Sequence, residues 1–195
     1  MIRSVMAGWA LALVALWSSH SGAQRYERNT HTTTPGWFTE PYLSAMLRDT
    51  ASPEVIERMK GLFAPRDAKV VETVRNNYSN VNNNTMRLNA AGARIILGCD
   101  TGLPDHLFGY AEQRELELMA AAGMTTMQVI VAATSRGAEY LGLADAGTLA
   151  ADKRADFLVL DANPLDDIRN TRRIAKMFVR GAEVDRAALE ASLIK

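Results

Sequence analysis

Apolar positions along this chain recur with two different spacings, and the change between them divides it. Residues 5–17 form an uncharged, mostly apolar run after Arg3. The threonine-rich residues 30–34 predict a short strand, which Pro35 would end. Residues 41–49 predict a short helix with Leu43, Met46 and Leu47 on one face. Ser52 before Pro53 and Glu54 is a helix start, with the serine as N-cap and the proline in the first helical position. That helix is expected to run to about Lys60 and stop near Gly61. Beyond Pro65, Val70, Val74 and Val81 keep helical spacing, but Asn76-Asn77 and Asn82-Asn83-Asn84 are weak helix formers. The pattern predicts a break at residues 78–80 and a resumed helix through Met86 and Leu88 to a C-cap at Gly92.

The period then shortens. Ile95, Ile96 and Leu97 make a brief apolar run flanked by glycine, which reads as a buried strand. Residues 111–122 return to helical spacing, with Leu116, Met119 and Ala120 on one face and Gly123 at the end. Thr125 or Thr126 caps a further helix whose apolar face includes Val129, Ala132, Ala133 and Leu141, closed by Gly142. A strand, Phe157-Leu158-Val159-Leu160, ends in the turn signal Asp161-Ala162-Asn163-Pro164. Residues 174–179 form another strand, which Arg180-Gly181-Ala182 turns back into Glu183 and Val184 as a hairpin. Helix, glycine, strand and polar loop in succession is the rhythm of a parallel α/β sheet or barrel.

The candidate chemistry gathers where the short strand ends, at Gly98-Cys99-Asp100-Thr101-Gly102. Asp100 lies between two glycines that permit tight turns or close approach of backbone to a ligand. In α/β barrels the catalytic groups come from the C-terminal ends of strands. Asp100 reads either as a metal ligand or proton-transferring group, or as an aspartate that caps a turn or helix start. Cys99 is either a nucleophile, with His106 as its base, or a small buried hydrophobe. His31, within the threonine-rich segment, is a ligand by residue type and an ordinary surface or core residue by frequency.

Composition narrows the setting. The 195 residues are 48% hydrophobic, enough for a core of ordinary domain size. Twenty-two basic side chains balance 22 acidic ones with no basic patch, which argues against a nucleic-acid partner. A single cysteine excludes an intrachain disulfide framework. Residues 1–23 have the form of a secretory signal: Arg3, then the apolar run, then Ser21-Gly22-Ala23 ahead of a cut before Gln24. The run is short for a membrane span, and a retained anchor is the alternative. The expected location is periplasmic or secreted.

The segments Gly92-Ala93-Arg94 through Thr101-Gly102, Glu115-Leu116 through Met124-Thr125, Ala132-Ala133-Thr134-Ser135 and Leu141-Gly142-Leu143 occur in a set order. Gly147-Thr148-Leu149 through Lys153-Arg154-Ala155-Asp156, Val159 through Leu165, and Arg180-Gly181 follow. In that order and spacing the chain resembles the C-terminal part of the amidohydrolase superfamily, near its imidazolonepropionase-like and peptidase-like members. The resemblance implies an α/β fold: the last strands and helices of an incomplete (β/α)₈ TIM barrel, then strands of a small β domain that the family builds from both chain ends. On that reading residues 1–23 are the signal, 24–145 the barrel segment and 146–195 the β tail. It implies hydrolysis of carbon–nitrogen bonds in a small amide or dipeptide-like substrate, with a divalent metal, zinc, as cofactor. Asp100 matches the carboxylate that touches the metal and moves the proton from metal-bound water to the leaving group. Thr101, Gly102 and His106 are the expected substrate contacts.

The sequence departs from that family pattern in its donors. It has no His-x-His pair, and its three histidines are His20, His31 and His106. Gln113 stands where many relatives carry a histidine before the segment matching Arg114-Glu115-Leu116. A full barrel takes about 250 residues. The expectation is therefore a shortened hydrolase that self-associates or is completed by another chain, since an incomplete barrel leaves sheet edges and apolar surface uncovered. The alternative is a non-catalytic remnant acting as a binding or interaction module.

Overall fold

The computed structural model describes residues 51–62, 68–99 and 108–193. The predicted signal, the strand at residues 30–34 and the helix at 41–49 lie outside the described residues. No helix among the described residues is long and apolar enough to cross a membrane.

Helix α1 (Pro53–Leu62) starts as the sequence directs: the Val55 N–H donates to Ser52 Oγ at 3.3 Å. Helix α2 (Ala68–Ala90) runs through residues 78–80 without a break, which corrects the expected interruption. The asparagines each cost only a fraction of a kcal/mol in a helix, about 0.7 at most. Tertiary contact outweighs that: Thr85 is buried, and Met86 packs against the main core. Gly92 ends the helix at a φ of 77°, and the Ala93 N–H donates to the Leu88 carbonyl at 2.9 Å.

Residues 93–99 form no regular element and among the described residues pair with no strand, so the expected ladder at 95–97 is not formed there. What fixes the run is packing. Ile95 is fully buried, and the Leu97 N–H donates to the Ala132 carbonyl at 3.2 Å.

Helix α3 (Tyr110–Ala121) buries Leu116 and Met119, as its pattern predicts, and α4 (Thr126–Ala133) follows. Thr125 caps α4 reciprocally with Gln128: the Gln128 N–H donates to Thr125 Oγ1 at 3.2 Å, and the Thr125 N–H donates to Gln128 Oε1 at 2.9 Å. Thr125→Ala is expected to cost about 1 kcal/mol of stability in urea unfolding, because it orphans a helix N–H. A Thr125→Ser variant should retain most of that.

The expected single helix to Leu141 is two. Thr134 leaves the helical region (φ −122°, ψ −90°) while its hydroxyl donates to the Ile130 carbonyl at 2.7 Å. This side-chain bond competes with the helix's own ladder. Helix α5 (Ser135–Tyr140) then sets off anew, leaving Leu141 at 67% exposure rather than on an apolar face.

The tail forms a three-stranded antiparallel sheet in the order β1 (Phe157–Leu160), β2 (Ile174–Val179), β3 (Ala182–Glu183). Phe157 and Phe178 face each other across β1 and β2 and stack at 4.6 Å. Arg180 and Gly181 both take positive φ (52° and 80°), as a two-residue hairpin turn that follows strand twist requires. Asp156 secures that turn by accepting the Arg180 N–H at 2.6 Å, and the Ala155 carbonyl accepts the Gly181 N–H at 2.9 Å. The end of the Lys153-Arg154-Ala155-Asp156 segment thus holds the hairpin. Helix α6 (Arg186–Leu193) closes the described chain.

Between β1 and β2 a 3₁₀ helix (Ile168–Arg172) turns toward the helical layer. Ile168 enters the same core as Ile95, Leu116, Met119, Met124, Val129 and Ala132. The Thr126 hydroxyl donates to the Leu165 carbonyl at 3.0 Å, a second tie between tail and helices.

Candidate functional site

The site expected from the sequence lies between the run at residues 93–99 and α3. Asp100, Thr101, Gly102 and His106 lie outside the described residues, as do His20 and His31. The described residues give the frame on either side. On the N-terminal side, buried Ile95 and the Leu97–Ala132 hydrogen bond hold the run that leads through Gly98 to half-buried Cys99. On the C-terminal side, Gly109 at a φ of 80° begins α3, and its N–H donates to Glu112 Oε2 at 2.7 Å.

Helix α3 serves both sides. Its N-terminus closes the segment, and its Leu116 and Met119 share the core with Ile95. Glu115 lies on the same buried face and is fully enclosed, although a glutamate is seldom so deep. A pattern of apolar positions does not select it; its i+4 relation to Ala111 and to Met119 is the signal that could have.

The opposite flank of α3 carries an ionic cluster. Glu117 sits between two guanidinium groups, Arg114 at 2.6 Å and Arg172 of the 3₁₀ helix at 2.7 Å. Glu117 and Arg172 are 14% and 12% exposed, so solvent screens this pair far less than an ordinary surface ion pair. The Arg172 guanidinium also lies over the Tyr110 ring, 5.6 Å from its centre. Thr171 Oγ1 lies 2.7 Å from Gln113 Oε1 and 2.7 Å from the Ile168 carbonyl, both within reach of its proton. Gln113 therefore makes a hydrogen bond to the tail. Nearby, hydrogen bonds from Arg169 hold the exposed Asp167 carboxyl below its ordinary pKa, and the pair raises that of Arg169.

Among the described residues, no group of three or more His, Cys, Asp or Glu side chains is arranged to hold a metal ion. A catalytic zinc takes three protein ligands and an open position. The described residues alone do not fit such a centre.

A family model described as the amidohydrolase family matches residues 17–184. No curated protein matches the chain. Several solved structures do. A protein provisionally named a prolidase, from Bifidobacterium longum, is 35% identical, with a TM-score of 0.55 over 66% of this chain and 33% of its own. A Xaa-Pro dipeptidase with methionine bound in its active site is 25% identical, with a TM-score of 0.52 over 67% of this chain and 31% of its own. Phenylurea hydrolase B is 36% identical, with a TM-score of 0.48 over 57% of this chain and 28% of its own. The chain thus spans a third or less of the length of each of these proteins.

Proposed function

The chain belongs to the amidohydrolase family, and we propose that it carries the C-terminal part of a hydrolase acting on carbon–nitrogen bonds, with Asp100 as the carboxylate that handles the proton. Family relatives imply a TIM-barrel-type fold. In this reading residues 24–145 are the barrel's last strands and helices, residues 146–195 its associated β tail, and residues 1–23 a secretory signal that sends the protein to the periplasm or beyond. The observation that carries the reading is the family match over residues 17–184, which runs through the run anchored by Ile95 and ending at Asp100.

The substrate class is a small amide or dipeptide-like molecule, with Thr101, Gly102 and His106 as contacts. Support comes from the two relatives named for dipeptide cleavage. Amidohydrolases are generally metal-dependent, and zinc is the proposed metal, with Asp100 among its ligands. Asp100, His31 and His106 are a thin donor set, so a complementing chain or a second copy supplies what is missing.

A second reading, an association module without turnover, is favoured by the apolar side chains left in solvent: Phe108 is 75% exposed and Leu149 79%. One experiment separates the two. The purified full chain is assayed for bound zinc and for hydrolysis of an Xaa-Pro dipeptide, with Asp100→Ala alongside. Zinc and hydrolysis that both vanish in the variant uphold the enzyme. Activity that survives Asp100→Ala overturns the role given to Asp100. A metal-free, inactive chain that oligomerises with concentration leaves the association module.

A further inference from the structure

We propose that the outer edge of β1 is where a second copy of this chain docks, the two β1 strands pairing antiparallel across a two-fold axis at Leu158. This goes beyond the proposed activity and does not depend on it. Among the described residues β1 pairs on one side only, with β2. The Met177 carbonyl accepts the Val184 N–H at 2.9 Å, so the Met177 backbone faces β3. Leu158 stands opposite Met177, and directly opposed antiparallel residues exchange both hydrogen bonds or neither. The Leu158 N–H and carbonyl therefore point away from β2, a donor and an acceptor aimed at an extended strand.

The sheet's two edges differ. β3 is two residues long, carries Glu183 in an ion pair with Lys176 at 3.1 Å, and leads into α6. Short length and charge are what keep an edge from pairing. β1 has neither, since Phe157-Leu158-Val159-Leu160 holds no charge, proline or glycine. A sheet with one face in water alternates apolar with polar residues, and β1 does not. Its Leu158 and Val159 are 45% and 39% exposed. Leu158 also continues a face made with Met177, Val179 and Ala182, which bears no charge.

Charge selects a second copy and its direction. At the N-terminal end of β1, Arg154 pairs with Asp156 at 2.7 Å, and the same carboxylate accepts the Arg180 N–H. Two arginines against one aspartate leave that corner positive, and the adjoining Asp152 and Lys153 cancel. Asp161, exposed, follows the C-terminal end of the strand. With Leu158 on the axis, Asp161 of one copy falls opposite Ala155 of the other, beside Arg154. Each positive corner then gains a carboxylate, twice over by symmetry. A parallel arrangement would set Asp161 beside its own copy instead.

Sedimentation of the full chain over a range of concentrations tests this. The interface is small, so the expected dimer is weak, with a dissociation constant on the order of 10–100 μM. Leu158→Lys is expected to raise that constant about tenfold or more, because two like charges then meet at the axis. Asp161→Lys should raise it about threefold at low salt and less at high salt, since the lost pairs are exposed. Leu149→Lys and Asp166→Lys are the controls, altering an exposed leucine and an exposed aspartate outside the sheet. Hydrogen exchange at the Leu158 amide should slow as concentration rises, while Val159, whose N–H faces β2, stays as it was. A chain that remains monomeric to about 500 μM overturns the proposal, including the case in which the chain's own residues cover the edge. So does a dimer that Leu158→Lys leaves intact, that Leu149→Lys weakens equally, or that forms without slower exchange at Leu158. Should Leu158→Lys fail to fold, Asp161→Lys and the exchange at Leu158 carry the same test, and no change in both overturns it. Hydrolysis and metal content bear on neither result, so this proposal and the proposed activity fail separately.

Discussion

Gly147→Ala is expected to destabilise the protein by about 2–5 kcal/mol, the sum of a left-handed backbone penalty and an overpacking cost. Gly147 has a φ of 81°, a region that costs any residue with a Cβ. A Cβ built there would meet the Ala138 Cβ at 2.7 Å, the Ser135 Cα at 2.8 Å and the Thr134 carbonyl oxygen at 2.9 Å. Two of those three atoms are backbone, and they belong to the junction where α4 gives way to α5. That junction cannot yield cheaply, because the Thr134 hydroxyl is tied to Ile130 and Ala138 is buried. Gly142 supplies the control. Its φ is 71°, yet nothing lies within 4 Å of a Cβ at that position. Gly142→Ala should therefore cost only the backbone part, about 1–2 kcal/mol. Urea unfolding of both variants measures the difference, read as a lower midpoint at unchanged slope. Equal losses in the two would show that the close approach at Gly147 contributes nothing.

The features legible in the sequence are those written within a few residues. Ser52 before Pro53, Thr125 at the head of its helix and Gly92 after a helix each close their own hydrogen bonds locally, and each takes the expected form. The Arg180-Gly181 turn forms as expected too, although Asp156 and Ala155, far back in the chain, hold its N–H groups. Expectation and structure part where a distant partner decides. The asparagine run resembles a break because its propensity is poor, but Thr85 and Met86 are held by the core and carry the helix through. Leu141 keeps helical spacing with Val129, yet the Thr134 hydroxyl turns the chain before that spacing can matter. The grip of Thr171 on Gln113 spans 58 positions, and no pattern in either neighbourhood announces it. Of the candidate site, Asp100 is an expectation drawn from residue type and from its place after a short apolar run. Its geometry depends on a segment outside the described residues. What the structure adds is the frame: a buried isoleucine before the segment, a capped helix after it, and a tail that grips that helix.

Ile95→Ala is expected to cost about 2–5 kcal/mol, the range for deleting an aliphatic side chain from a closed core. More than burial is involved. A strand in a sheet shares the work of holding it between packing and a ladder of hydrogen bonds. Residues 93–99 have no ladder among the described residues, and backbone bonds from Ala93 to Leu88 and from Leu97 to Ala132 tie the run to the helices. Packing at Ile95 therefore carries a larger share here than in a paired strand. The core cluster it belongs to draws on separate elements: Leu116 and Met119 on α3, Val129 and Ala132 on α4, and Ile168 from the tail. A cavity there would be lined by separate elements that cannot all move inward together, so the loss should lie in the upper half of that range. Ile95→Val, which removes one methylene, should cost about 0.5–1.5 kcal/mol. Ile96, only half-buried, is the comparison one position away, and Ile96→Ala should cost clearly less than Ile95→Ala. Chemical denaturation of the three variants decides the matter. A loss below about 1 kcal/mol for Ile95→Ala would mean that the run is held by something other than its buried side chain. The position of Asp100, five residues further on, would then have to be derived from a different anchor.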